Sequence, residues 1–171
     1  MNTMKKKLQR CVTLTSAIVS LAMPFAAQAA CNSSLISITV LATALDFASL
    51  TACTATSGQV SLNQKTGART TTGCITGVSG ITSLATVRVK GNQAKNSDKV
   101  ELTAPNSFNV NKGGDNMSVT NILFDKGGGQ QTVAINGKAT VTYDIGGRLN
   151  VSGGQPGGTY TGSFTVDAHC Q

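Results

Sequence analysis

The chain has no tryptophan, two tyrosines and five phenylalanines in 171 residues, and only 12% of its residues are charged. It has one histidine, His169, two residues from the C-terminus. One histidine cannot build a His-rich metal cluster, and a Ser, His and Asp triad has only that position to use. The nucleophile-elbow pattern GxSxG is absent, so His169 reads as a solvent-facing strand residue. No motif pairs two carboxylates. GGDN, DKGGG and DIGGR set Asp among glycines, but they match neither EF-hand spacing nor the calcium-binding nonapeptide. The stretch VRVKGNQAKNSDK carries Arg88, Lys90, Lys95 and Lys99 with no aromatic between them. That excludes a base-stacking platform and leaves a solvated hairpin. No catalytic residue, cofactor or metal ligand is expected, and the chain does not read as an enzyme.

Long apolar runs are missing beyond the first thirty residues, MNTMKKKLQRCVTLTSAIVSLAMPFAAQAA. These combine a basic start (Lys5, Lys6, Lys7, Arg10), an apolar middle and small residues at the close, the pattern of a secretory signal peptide. Cleavage fits after Ala29, which makes residues 1–29 the signal, with Ala27 and Ala29 at the small-residue positions. Gln28 stands where a lipid-attachment signal has an apolar residue. Since no later run approaches the roughly 18 to 20 residues of a spanning helix, the mature chain is expected to be exported, with no transmembrane segment. Removing four of the 14 basic residues leaves ten against seven acids, a net of +3 instead of +7, which gives no case for nucleic-acid binding.

Cys11 leaves with the signal, and Cys31, Cys53, Cys74 and Cys170 remain. An even count in an exported chain reads as two disulfides with three possible connectivities. If Cys53 pairs with Cys74, the bond closes a loop of about twenty residues, stabilising by about 3 kcal/mol, and the other pair is Cys31 and Cys170.

The mature chain is long enough for one domain with a core of its own. Nineteen glycines and a period of two point to short strands joined by turns in an all-β sandwich or barrel. Extended pieces are expected at LISITVLATAL, ATVRVK, KVELTA, SFNVN, MSVTNILF, QTVAIN, KATVTYDI and RLNV. NKGGDN, DKGGGQQ, INGK, DIGGR and SGGQPGG read as turns. Residues 51–80, rich in Thr and Gly, show no clear strands. The closing run GGTYTGSFTVDAHCQ reads as a last strand with Tyr160, Phe164, Val166 and Ala168 facing in and Gly162 making room.

From Tyr143 to Val166 the chain runs YDIGGRLNVSGGQPGGTYTGSFTV, and LISITVLATALDFASL supplies Leu45 and Phe47 in an LxF pattern, with Ala48 where glycine is usual. These segments resemble an exported Gram-negative bacterial family known as domain of unknown function 4402, which is similar to subunits of non-classical chaperone-usher fimbriae. The resemblance implies an immunoglobulin-like antiparallel sandwich that lacks a strand and is completed by β-augmentation from the next subunit. In that picture residues 30–44 form an N-terminal extension whose donor strand presents Ile36, Ile38, Val40 and Ala42. Residues 45–171 form the sandwich, whose groove is bordered by Tyr160, Phe164, Val166 and Ala168. The implied partners are like subunits by strand exchange, a periplasmic chaperone and an outer-membrane usher. The implied place is the periplasm and then the cell surface, in a fimbrium serving adhesion or biofilm. The alternative is a secreted binding or adhesin module whose N-terminal strand folds back into its own sandwich.

Overall fold

The computed structural model describes residues 12–18, 36–42, 45–52, 56–92, 99–135, 137–157 and 159–170. These form strands and turns; none of the described residues is helical, so no helix among them is long and apolar enough to cross a membrane. The larger sheet runs β2 (Ile36–Ala42), β7 (Ala85–Gly91), β12 (Thr140–Val151), β10 (Asp115–Phe124) and β9 (Ser107–Lys112). On it, β4 (Gly58–Leu62) pairs with β12, and β5 (Arg69–Gly73) pairs with β4. The smaller sheet runs β1 (Val12–Ile18), β13 (Gly162–Cys170), β8 (Lys99–Thr103) and β11 (Gln130–Ala134). A two-stranded ribbon joins β3 (Ser49–Ala52) to β6 (Ile75–Ser79). All pairings are antiparallel, and the chain is an all-β sandwich.

The period of two sets the layers. On β7, Ala85, Val87 and Val89 are buried while Arg88 and Lys90 are exposed. Val100 and Leu102 of β8 and Phe164, Val166 and Ala168 of β13 face the same core. Phe124, Leu45, Leu102, Ile135 and Ile145 are its largest fully buried side chains. At roughly 1.5–3 kcal/mol for each large apolar side chain removed from water, this core is what holds the layers together.

β12 organises the larger sheet. Its first half pairs with β7, its second half pairs with β4 on the same flank, and β10 takes the other flank. DIGGR, expected as a turn between two strands, is instead the middle of this one strand. The glycines there serve close approach: a Cβ at Gly146 would lie 2.5 Å from the Leu62 carbonyl oxygen and 2.8 Å from Gln64 Cα. NKGGDN and DKGGGQQ do turn, with Gly113, Gly127 and Gly128 at positive φ. In the stretch that showed no clear strands, β4 buries Val60 and Leu62, while Thr70, Thr71 and Thr72 of β5 are all exposed.

The strand expected as an extension outside the sandwich is the edge of the larger sheet. β2 runs antiparallel to β7 from Ile36 opposite Gly91 to Ala42 opposite Thr86. Ile36 and Ile38 are each 3% exposed, and Val40 packs against the same core. The apolar face of this strand is buried on its own domain, and the edge of β7 satisfies its backbone.

Ala48, at the position where the resembled family has glycine, has φ +59°. Its amide donates to Asp46 Oδ1 at 2.7 Å, and Asp46 is pinned by two main-chain bonds with Ser83, 2.9 and 3.1 Å. The left-handed region costs an L-residue roughly 1–2 kcal/mol, while glycine costs roughly 0.4–1 kcal/mol in the unfolded chain. Ala48→Gly is therefore expected to stabilise by about 0.5–1 kcal/mol, read as a higher urea midpoint with unchanged slope.

Tyr143 packs edge-on against Phe124, ring centroids 5.8 Å apart. Burial first, and then the carboxylate of Asp125, push its phenol above the ordinary 10.0. In the unfolded chain the phenol ionises near 10, before the folded one does. The stability it contributes is thus full below pH 10 and lost as pH rises through the folded value. Absorbance titration is expected to show Tyr143 ionising above pH 10, and Tyr143→Phe is expected to flatten the alkaline loss of stability.

Candidate functional site

β13 is held along one edge by β8, which pairs Asp167 to Cys170 with Thr103 to Val100. Just before the strand, Thr161 exchanges two main-chain bonds with Asn111 of β9, at 2.7 and 3.0 Å. Phe164 stacks on Phe108 of β9 with centroids 5.0 Å apart. A Cβ at Gly162 would overlap the Asn109 carbonyl oxygen and lie 3.0 Å from Val110 Cα, so only glycine lets the strand start so close to β9.

The other edge of β13 carries β1. Their antiparallel register is unbroken, from Val12 opposite Ala168, through Leu14 opposite Val166 and Ser16 opposite Phe164, to Ile18 opposite Gly162. Among the described residues β1 pairs with β13 alone. The sequence reading assigns these residues to a cleaved signal. Without them, a seven-residue tract of β13 offers its main-chain donors and acceptors at an edge, with Phe164, Val166 and Ala168 alternating on the inner face. The chemistry available there is backbone hydrogen bonding with side-chain pockets at every second position, the means by which a sheet takes an extended peptide.

Three of the four residues expected to border the groove, Phe164, Val166 and Ala168, lie on β13 and are buried. Tyr160 does not: it precedes the strand and is half-buried. Its hydroxyl donates to the Pro156 carbonyl at 2.8 Å and accepts from Gln155 Nε2 at 2.9 Å, closing the SGGQPGG loop. Tyr160 also lines, with Leu50, Ile75, Val110 and Met117, a half-open cavity of about 760 Å³. Lys112 Nζ sits 6.0 Å over its ring and donates to the Gly157 carbonyl.

Ile36, Ile38, Val40 and Ala42 lie on β2 in the other sheet, which pairs with β7 and not with β13. Cys74 and Cys170 are each disulfide-bonded, and Cys31 and Cys53 lie outside the described residues. His169 is exposed on β13. Among the described residues no three His, Cys, Asp or Glu side chains converge as metal ligands would. Sequence reasoning missed β1. Its alternation was visible in VTLTSAI, but the residues were set aside as a leader.

A family model described as Domain of unknown function (DUF4402) matches residues 36–169. The chain belongs to this family. The DUF4402 unit opens at the first residue of β2 and closes at the penultimate residue of β13, so it includes the β13 edge and leaves out β1. No curated protein and no solved structure matches the chain.

The fit of β13 on β9 can be tested directly. Gly162→Val is expected to cost roughly 1–3 kcal/mol by overpacking, seen as a lower Tm. Gly157→Ala, where a Cβ meets nothing within 4 Å, is expected to stay within about 0.5 kcal/mol of the parent.

Proposed function

We propose that the mature chain is an exported structural subunit of a cell-surface fibre of the chaperone-usher type, serving adhesion or biofilm, and that it joins the fibre by taking an extended strand on β13. One observation carries the reading: β13 holds a seven-residue antiparallel partner drawn from residues the signal-peptide reading removes. The family match, which omits that partner, supports the same view. Once the leader is cut, β13 becomes an edge over an apolar inner face, a liability that secreted β-proteins must cover. A periplasmic chaperone strand covers it in transit, an usher presents it at the outer membrane, and a fibre partner covers it afterwards. The sandwich itself is immunoglobulin-like, and its four cysteines form two disulfides in the oxidising periplasm, Cys53 with Cys74 and Cys31 with Cys170.

The second reading, a self-contained binding module, draws on the burial of β2 in its own sheet. That strand covers β7 and does not reach β13, so this reading needs another cover for the same edge.

The test uses the mature chain, residues 30–171, and a synthetic peptide containing VTLTSAI. Expected are a one-to-one complex, slowed amide exchange along β13, and a rise in stability of about 2.7 kcal/mol at peptide one hundred times its Kd. The same peptide with Leu14→Asp is expected not to bind. A mature chain whose β13 amides are already protected, and which ignores the peptide, overturns the proposal.

A further inference from the structure

The second half of β12, with β4 and β5 on one flank and β10 and β9 on the other, presents a face turned away from the core. These strands bury Val60, Val110, Val119 and Leu149 on the inner side, so the residues between them point outward. The register aligns the outward residues in two rows. One row crosses the strands through Asn109, Ser118, Asn150, Gln59 and Thr72. The other, one pleat further along, runs through Ser107, Thr120, Arg148, Ser61 and Thr70. With about 4.8 Å between neighbouring strands, each row is about 19 Å long. Neither row has an apolar or aromatic side chain, and Arg148, on the central strand, is the only charge in either.

We infer that this face binds a carboxylate-bearing polysaccharide, with Arg148 taking the carboxylate and the amides and hydroxyls around it taking sugar hydroxyls. The central side chains are already tied to one another. Gln59 Nε2 donates to Asn150 Oδ1 at 3.0 Å, and Asn150 Nδ2 donates to Thr120 Oγ1 at 3.1 Å and to the Ser118 carbonyl at 3.2 Å. Held in this way, they lose little freedom when a ligand arrives. Arg148 Nε donates to Ser61 Oγ at 3.4 Å. Arg148 is half-buried, and among the described residues its guanidinium has no ion pair. A fork of donors thus stands at the middle of the face with no carboxylate of the described chain to meet it. A planar carboxylate matches that fork, two oxygens to two N–H groups.

The surroundings of Arg148 decide the rest of the ligand. A nucleic acid would need several cations for its phosphates and aromatic rings for its bases. A protein partner would need an apolar or aromatic centre. The two rows offer neither. Side-chain amides and hydroxyls both donate and accept, as sugar hydroxyls do. The face belongs to the sheet that does not contain β13, so the inference stands apart from strand addition.

The experiment titrates the protein, purified as the cell makes it, with a hyaluronate oligosaccharide, which alternates carboxylate-bearing and neutral sugars, and with neutral dextran. Heat release gives affinity, and amide chemical shifts give the place. Expected are saturable hyaluronate binding, shifts centred on β4, β10 and the second half of β12, and dextran binding weaker by about tenfold or more. Arg148→Gln is expected to lose about tenfold or more with Tm unchanged, and Arg148→Lys to recover part of the loss. Asn150→Ala keeps the charge but cuts the ties to Gln59 and Thr120, and is expected to weaken binding by about threefold. Lys90→Gln, on the exposed side of β7, is expected to leave binding unchanged, as a seated carboxylate requires and general attraction to a basic surface does not. No hyaluronate binding, unchanged binding in Arg148→Gln, an equal loss in Lys90→Gln, or shifts centred away from these strands overturns the inference. None of these outcomes bears on the peptide titration of β13, which tests the fibre proposal by itself.

Discussion

Main-chain pairing along β13 is the interaction on which the rest of the molecule depends. This strand joins the two layers: Thr161, just before it, is bonded to Asn111 of β9 in the larger sheet, Phe164 stacks on Phe108, and the strand then continues beside β8 in the smaller sheet. Its inward residues close the core between the sheets. A strand in that position has two edges, and β8 satisfies only one. Whatever lies along the other fixes whether the inner face is dry and whether the backbone is paired. Among the described residues that second edge is taken by β1.

The position of β13 follows in turn from β12. Twelve residues in one run allow β7 and β4 to share a flank while β10 holds the other, and β10 then carries β9 to the place where β13 begins. Gly146 is the hinge of this arrangement in space though not in direction, since the end of β4 lies against its α-carbon. A side chain there would push the β4 and β5 hairpin off the sheet, and the ribbon of β3 and β6 leans on that hairpin through Ile75, which lies against Gly58.

The sequence was legible where both faces of a strand have contrasting chemistry. Val87 and Val89 against Arg88 and Lys90, or Phe164 and Val166 against Ser163 and Asp167, state the strand and the buried side at once. β5 was hidden because its threonines look alike on both faces, and β4 because a glycine and a glutamine precede Val60. The Gly pair in β12 misled because local chemistry favours a turn there. The actual cause is the backbone of Leu62 and Gln64, more than eighty residues away in sequence. Ile36, Ile38 and Val40 announced a strand and its apolar face. Alternation says which side of a strand is buried, not which neighbour it pairs with, so β7 as partner was not readable. Tyr160 fitted the alternation of the last strand by count alone, but the bonds at Thr161 start the pairing after it. In β1 the apolar residues that mark a leader and those that suit a strand are the same ones.

The straight register between β13 and its occupant also has a mechanical meaning. Antiparallel ladder bonds stand perpendicular to the strands, so a force drawing the occupant along its own axis loads all seven residue pairs together instead of peeling them apart one after another. A pairing loaded in shear resists pulling far better than its modest length suggests, and the stacked Phe108 and Phe164 rings join the two sheets beside it.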